Sequence, residues 1–310
     1  MWRYILKRLG MMVFVILGVA ILIFTIMYFV PGSPAQIILG SSATPEQIAK
    51  LEKDMGLDQP YIIQLWEFLK SIARLDFGDS YIYHTPVIDE LKVRLPRTLL
   101  LSVLVIILQT VIGIPLGITA AVHAGEWQDT VSIILSMLGM ALPGFWLALM
   151  SIRWFSVDLG WLPPNGFEPW TAWILPVVTS AVGGFAMNAR QTRAAMLDVI
   201  RSDYVTTAKA KGVNEHDVIW KHALPNALIP VITMIGGGFA GALGGSVIAE
   251  SVFVIPGVGL YMTNGITALD YPVVRSCVVV LAVWFGLVML LTDLVYAFVD
   301  PRIKAQYVGR

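Results

Sequence analysis

Six apolar stretches divide this sequence, and each is long enough, or nearly so, to cross a lipid bilayer as an α-helix. They cover residues 9–30, 98–122, 131–152, 171–189, 225–249 and 276–299, and Asp293 is the single charged residue within them. The first stretch would extend about 33 Å at the helical rise of 1.5 Å per residue, enough to cross a bilayer core. Because lipid offers no hydrogen-bond partners, backbone that crosses it must be helical or form a closed barrel. The sequence therefore predicts an all-α polytopic membrane protein with six transmembrane helices.

Composition supports this class and excludes several others. Hydrophobic residues make up 57% of the 310 residues and charged residues 14%, far from the composition of an ordinary soluble domain. The formal net charge is zero, so no basic surface for nucleic acid is indicated. The one cysteine, Cys277, cannot form an internal disulfide. The basic residues before the first apolar stretch resemble the start of a signal peptide, but that stretch is long and lacks a small-residue cleavage site, which predicts an uncleaved span.

The distribution of Lys and Arg predicts which face of the membrane each segment occupies. Twelve lie in the two terminal tails and the central segment 190–224, against two in the short segments on the other face. The twelve are Arg3, Lys7, Arg8, Arg190, Arg193, Arg201, Lys209, Lys211, Lys221, Arg302, Lys304 and Arg310, and the two are Arg153 and Arg275. Because cytoplasmic loops carry the excess of positive charge, both termini and the central segment are predicted to be cytoplasmic.

Residues 31–97 are too polar to insert and carry the signals of helices, which predicts an extracytoplasmic helical segment. Residues 44–47 (TPEQ) predict a capped helix that stops at Gly56. A second helix is expected from Tyr61, with apolar side chains on one face. A third, short helix is expected over residues 86–96, before the second span.

The polar segment 203–225 is predicted to form two short helices between the fourth and fifth spans. Asp203 is expected to cap the first, which stops at Gly212, a residue free to adopt positive φ. Asn214 is expected to cap the second. Pro225 lacks a backbone N–H, so the chain is expected to bend there into the fifth span.

A helix of about eight residues is not stable alone in water and needs a surface on which to dock. Val205 and Ala208 are small contacts suited to a groove in a partner protein. The alternative is a basic loop that packs on its own helix bundle, since positive loops are common on this face.

The same segment resembles the EAA loop of ABC importer permeases, in which Glu-Ala-Ala is followed by three residues, Gly, nine residues and Ile-x-Leu-Pro. The positions in register are Ala208, Gly212, Leu224 and Pro225, whereas Thr206, Thr207 and His222 depart from the pattern. The longer run 193–212 is similar to the peptide/nickel branch of that family, where Tyr-x-x-Thr-Ala-x-Ala-Lys-Gly is usual. In the family this loop docks into a groove on the ATPase subunit. The resemblance implies that role for Asp203, Tyr204, Thr207, Ala208, Ala210, Lys211, Gly212, Leu224 and Pro225.

The segment between the last two spans, residues 250–275, provides a second resemblance. Its ESVF, PGVGL and DYPVV runs resemble the signature found there in peptide/nickel-type permeases. The chain would turn at Pro256–Gly257 and partly re-enter the membrane, which is tolerated only where backbone lines protein or a watery cavity. An ordinary loop is the alternative. The candidate pathway or gate residues are Glu250, Phe253, Pro256, Gly257, Asp270 and Asp293.

A further resemblance concerns the last span and the tail that follows it. Asp293 is an ionisable group within a span, which marks a functional candidate, and the alternative is structural pairing with a neighbouring Arg or Lys. Together with residues 300–302 (DPR) it resembles the closing segment of the same family.

The sequence contains no recognisable motif for catalysis or for a cofactor. It has no Gly-x4-Gly-Lys-Ser/Thr, no His-Glu-x-x-His and no nucleophile elbow, and its four histidines are scattered. No ATPase site and no metal site are therefore predicted, and ATP and Mg would be bound by partner subunits. Two other classes of protein are alternatives. A secondary transporter or channel would need ion-coupling groups in the middle of its spans and often has internal repeats. A membrane-embedded enzyme would need a nucleophile, a base or a metal cluster.

The resemblance covers nearly the whole chain and implies a permease subunit of an ATP-driven importer in a bacterial or archaeal cytoplasmic membrane. The implied partners are a second homologous permease subunit, two ABC ATPase subunits, an extracytoplasmic substrate-binding protein and the lipid bilayer, without nucleic acid. Residues 31–97 and 250–275 are the candidates for contacting that binding protein. Peptides are the commonest cargo of the branch, and nickel or metal chelates, glutathione and oligosaccharides remain alternatives.

Overall fold

The computed structural model describes residues 2–40 and 42–299, and this part of the chain is almost entirely helical. Residues 300–302 and the tail predicted to be cytoplasmic lie outside the described residues. The α-helices are α1 (Trp2–Phe29), α2 (Pro34–Leu39), α3 (Pro45–Asp54), α4 (Tyr61–Ala73), α5 (Val87–Val122), α6 (Trp127–Ala141), α7 (Gly144–Ser151), α8 (Ile174–Ile200), α9 (Asp203–Ala210), α10 (Glu215–Asp217), α11 (Leu224–Val252), α12 (Val258–Thr267) and α13 (Tyr271–Val299). Two π-helical segments (Ile152–Asp158 and Val218–Ala223) and a 3₁₀ turn (Trp170–Trp173) adjoin them.

Within the described residues, five helical stretches are long and apolar enough to cross a membrane, and there are six if a sharply bent pair of helices is counted as one span. The bent pair joins α6 to α7 and its extension, and the two halves meet at 93°. Leu142 is extended because the following Pro143 disfavours helical backbone at the residue before it. The pair is therefore broken just before Pro143, and the predicted all-α polytopic fold is confirmed.

Two helices extend beyond the predicted ends of their spans. The short helix expected at 86–96 is continuous with the second span as α5, which contains Pro96 at an exposed position. The fourth span was expected to end at Ala189, yet α8 continues to Ile200. Buried residues such as Met196 extend the packed face of α8 through this region, so tertiary contacts maintain the helix.

The chain divides into two compact units, and the first comprises Leu99–Val254 and, within the described residues, 287–299. In this unit α8 packs against α6, α7 and α11. Gly117 allows the backbones of α5 and α8 to come close, since a Cβ there would lie 2.5 Å from the carbonyl oxygen of Ala189. Close packing of backbones through small residues is typical of helix association in membranes.

The second unit comprises Trp2–Thr98 and Ile255–Gly286. Its predicted capping box at Thr44 is confirmed: Gln47 N donates to Thr44 Oγ1, and Thr44 N donates to Gln47 Oε1. Helix α3 ends before Gly56, whose φ is +68°. Aromatic side chains of α1 and α4 pack together, with the rings of Phe24 and Phe68 5.6 Å apart.

Most of the segment predicted as a loop at 250–275 is helical. Helix α11 continues through Glu250 to Val252, α12 occupies Val258–Thr267, and α13 begins at Tyr271. The connections are short: Gly257 is extended and precedes α12, and Asp270 N donates to Gly265 O at 2.8 Å before α13. Local Gly and Pro signals therefore marked the ends of α12 rather than an irregular loop.

Candidate functional site

The first short helix predicted in the central polar segment is α9, with one correction at its start, and the second begins where predicted as α10. Ser202, not Asp203, is the N-cap residue of α9, and its side chain makes no cap hydrogen bond but donates from Oγ to Val199 O. Asp203 is the first helical residue, where its negative charge complements the helix dipole. The predicted stop is confirmed, since Gly212 has a φ of +78°. The predicted second cap is also confirmed: Asn214 Oδ1 accepts from Asp217 N at 2.7 Å.

One face of α9 packs on the helices of its own unit. Val205 is 0% exposed and belongs to a core cluster that includes Met196 of α8 and Val218. Ala208 is half-buried against the same cluster. Val205 therefore packs on the chain's own bundle, as the alternative interpretation expected, whereas the contact of the half-buried Ala208 with a partner stays a prediction.

The opposite face of α9 is exposed. Tyr204, Thr207 and Lys211 follow one another at helical spacing and are all accessible, with Tyr204 46% exposed. Of the other candidates in the segment, Asp203, Ala210, Gly212 and Pro225 are exposed and Leu224 is half-buried. Most of these candidates therefore lie at the surface, and the other face of α9 is buried against the helices of its own unit.

Trp220 is an exposed residue that the sequence analysis missed. It is 49% exposed, and its ring lies 6.1 Å from that of His216. Large aromatic residues are enriched in protein interfaces and among the residues that contribute most of the binding energy. The sequence signal that could have identified Trp220 is a large aromatic residue within a stretch of charged side chains.

The predicted bend at Pro225 is absent. Helical structure continues from Glu215 to Val252, and the turn over Val218–Ala223 is π-helical. Leu224 N donates to Ile219 O, five residues back. Pro225 then falls in the first turn of α11, directly after the π-helical turn.

A salt bridge links α6 to α8 in the same unit. Arg193 Nε lies 2.5 Å from Asp129 Oδ1, and Arg193 Nη2 lies 2.7 Å from Asp129 Oδ2. Asp129 Oδ2 also accepts from Gly125 N at 3.0 Å. The side chain of Asp129 is 5% exposed and that of Arg193 is 26% exposed. This bidentate pair fixes the turn before α6 against the C-terminal extension of α8.

The candidate pathway residues in the first unit lie on its long helices. Glu250 is fully buried within α11, and Phe253 is buried at the end of that helix. The Phe253 carbonyl accepts from Gly166 N at 2.8 Å. Asp293 is half-buried within α13. Their burial is compatible with either the pathway or the packing interpretation.

The candidates in the second unit have structural partners. Asp270 is buried and accepts hydrogen bonds from Ser80 Oγ at 2.5 Å, Tyr81 N at 3.2 Å and Ile82 N at 3.4 Å. The Pro256 carbonyl accepts from Arg97 Nη1 at 3.1 Å, and Gly257 is buried beside it. A carboxylate that three donors surround is held in place, so the geometry favours a positioning role for Asp270.

Replacing Asp270 with asparagine tests this role. We expect the segment around residues 80–82 to loosen, because hydrogen bonds to a charged acceptor contribute about 1.5–3 kcal/mol. The measurement is the rate of limited proteolysis in residues 79–86 of the purified protein, which should rise at least about tenfold. Asp79→Asn, at an exposed carboxylate in the same segment, serves as the matched control. Equal cleavage of both variants would contradict the assignment.

In residues 2–40 and 42–299, no three His, Cys, Asp or Glu side chains come together as a metal site would require.

Burial raises the pKa of the Tyr81 phenol, so this side chain is a neutral hydroxyl at physiological pH. The burial of Tyr261 raises its pKa in the same way.

Comparison with known proteins gives matches along the whole chain. A family model described as binding-protein-dependent transport system inner membrane component matches residues 113–305, and the model for its N-terminal part matches residues 1–102. The glutathione transport system permease protein GsiC of Salmonella typhi is 39% identical over 98% of this chain and 99% of its own length. The dipeptide transport system permease protein DppB of Alkalihalophilus pseudofirmus is 37% identical over 98% of this chain and 100% of its own length.

Solved structures share the fold. The chain is similar to one in the inward-facing MetNI methionine ABC transporter, with a TM-score of 0.59 and 21% identity over 68% of this chain and 96% of that one. It is also similar to one in an amino acid ABC transporter with histidines, with a TM-score of 0.52 and 16% identity over 69% and 94% of the two chains. At this identity, the likeness concerns the fold alone.

Proposed function

Because this chain belongs to the family of binding-protein-dependent transport system inner membrane components, in the peptide branch of the ABC importer permeases, we propose that it carries short peptides across the membrane. It is a multi-pass inner membrane protein and the permease component of an importer that includes an ATPase and a substrate-binding protein. We further propose a second, homologous permease subunit as its partner, two ATPase subunits, and a cytoplasmic location for both termini.

The names of similar proteins support the substrate class. GsiC is named for glutathione and DppB for dipeptides, and this chain aligns with nearly the full length of both. Both substrates are short peptides with free charged ends, so a peptide substrate accounts for both likenesses. Glutathione is the alternative that the same observation supports.

The central segment supports the mode of coupling. The observation that carries it is the two-sided character of α9: Val205 is buried in the unit's own core, whereas Tyr204 on the other face is exposed. A helix packed on the bundle in this way moves together with it, so a partner that binds the exposed face of α9 can displace the bundle. The ATPase subunit is the proposed partner.

The helix that follows supports direct transmission of that displacement. Because helical structure runs from Glu215 to Val252, the segment beside α9 and the fifth span form one continuous stretch. A displacement of the segment near Trp220 would therefore be transmitted directly to α11, because the helix has no hinge at Pro225.

Transport by the reconstituted complex tests the proposal. With the complete complex in proteoliposomes and the binding protein added outside, we expect ATP-dependent uptake of labelled Ala-Ala, and at least about tenfold less uptake when the P-loop lysine of the ATPase is replaced by alanine. Excess unlabelled dipeptide should compete, whereas a nickel chelate or an oligosaccharide should not.

Two outcomes would contradict the proposal. Uptake that persists without ATP and follows an ion gradient would indicate a secondary transporter. Uptake of the chelate or oligosaccharide in place of the peptide would leave the permease role intact and exclude the peptide substrate. Preference for glutathione over Ala-Ala would select the alternative substrate.

A further inference from the structure

Arg275, in the first turn of α13, is a buried cation without an acidic partner. It is 9% exposed, and among the described residues its Nε has no hydrogen-bond partner and its guanidinium forms no ion pair. Instead, the guanidinium carbon lies 4.3 Å from the centroid of the Phe24 ring, 5.1 Å from that of Tyr271 and 5.5 Å from that of Phe68. Cation–π contacts hold the guanidinium in place but leave its buried Nε–H without an acceptor among the described residues.

A buried charge without a partner is unfavourable, and proteins generally keep buried charges paired. Arginine is also the residue best suited to bind a carboxylate, because its planar fork of N–H groups matches the two oxygens. An arginine that is stacked in position and lacks a carboxylate within the described chain therefore has the properties of a ligand site.

Two cavities of the second unit share Arg275 as a lining residue. The larger has a volume of about 360 Å³ and the smaller about 300 Å³, at the lower end of the range for small-molecule sites. The larger cavity is also lined by Gln64, Tyr81 and Ser276, which can hydrogen-bond to a ligand. These volumes suit a molecule the size of a short peptide and are too small for a folded partner.

The acidic residues that line the cavities restrict the class of ligand. Glu67 and Asp76 line the larger cavity together with Arg275, and Glu52 lines the smaller one. These carboxylates would repel a multiply charged phosphate but would attract an ammonium group. A ligand with one carboxylate and one ammonium group would pair its carboxylate with Arg275 and its ammonium group with the acidic side chains of the larger cavity.

We propose that the cavity beside Arg275 is a binding site for a zwitterionic short peptide, with its terminal carboxylate on the guanidinium and its ammonium group toward Glu67 and Asp76. This inference rests on the proposed function and deepens it, because it gives the permease its own contact with the substrate. Under the proposed topology the site lies on the extracytoplasmic side, where a binding protein releases its cargo.

The test measures peptide binding to the complete permease–ATPase complex in nanodiscs, without the binding protein, by isothermal titration calorimetry. We expect Ala-Ala to bind at least about tenfold more tightly than its C-terminal amide, since the amide removes a charge-assisted hydrogen bond. Arg275→Gln should weaken Ala-Ala binding by a similar factor and abolish the difference between acid and amide. Arg275→Lys should retain part of that difference. Arg74→Gln, at an exposed arginine of the same unit, is the matched control and should bind both peptides as the unaltered protein does.

Several outcomes would overturn the inference. These are equal binding of Ala-Ala and its amide to the unaltered complex, an acid–amide difference that persists in Arg275→Gln, tighter binding of inorganic phosphate than of Ala-Ala, or binding only when the binding protein is present. The comparison of acid with amide needs no variant, so it decides the matter even if Arg275→Gln fails to assemble with the ATPase. If ATP-dependent uptake is normal while direct binding is absent, the proposed function stands and this inference fails.

Discussion

Replacing Trp220 and Tyr204 with alanine is expected to weaken binding of the ATPase subunit by about 2–4 kcal/mol, roughly 30- to 1,000-fold in the dissociation constant. Both side chains are about half-exposed on a segment whose buried face belongs to the chain's own core. Exposed aromatic residues on a rigid seat lose little entropy on binding and contribute large contact areas. We therefore expect them to contribute more of the binding energy than the charged residues around them.

The measurement is the affinity of the purified permease, held in nanodiscs, for its ATPase, together with peptide-stimulated ATP hydrolysis. Trp66→Ala is the matched control, because Trp66 is 65% exposed but lies in α4 of the other unit. It should leave the affinity for the ATPase unchanged. An unaltered affinity of the double variant, with thermal stability retained, would show that α9 and the following turn are not the docking site.

The second large effect is expected at the salt bridge between Asp129 and Arg193. Asp129→Ala should destabilise the protein by about 3 kcal/mol, because it leaves a partly buried guanidinium without its bidentate partner. The pair has one nearly buried member, so its contribution should exceed that of an exposed pair, which is typically about 0–1 kcal/mol.

Thermal unfolding in nanodiscs at neutral pH measures the effect. The double variant Asp129→Asn with Arg193→Gln should recover part of the stability, since neither charge is then left alone. Arg153→Gln removes the exposed pair with Asp158 in the same unit and provides the comparison. Equal losses for Asp129→Ala and Arg153→Gln would contradict the importance assigned to the buried pair.

Several local features of the candidate site could be predicted from the sequence because they depend on a few neighbouring residues. The positive φ at Gly212, the cap formed by Asn214 and the capping box at Thr44 each follow from local hydrogen bonding. The break before Pro143 follows from the restriction that proline imposes on its neighbour. The prediction of a bend at Pro225 was wrong because a π-helical turn directly before it accommodates the proline, which lacks a backbone N–H, without ending the helix.

The orientation of α9 could not be predicted, because it depends on residues far away in the chain. The sequence alone offers Val205 and Tyr204 as equally plausible contacts for a partner. Only packing against Met196 and Val218 decides that Val205 faces inward. The salt bridge of Asp129, which joins residues 64 positions apart, is of the same kind.

The sequence by itself determined that the chain crosses the membrane as helices, since long apolar stretches satisfy their backbone hydrogen bonds in lipid only within a helix. It also determined where α9 stops, before Gly212, and where α10 begins, after Asn214, because these signals act over three or four positions. Only the tertiary structure decided which face of α9 is available to a partner and that Arg275 is buried without an ion pair among the described residues. The physical reason is that burial and charge pairing depend on which distant residues come together, and no local pattern specifies them.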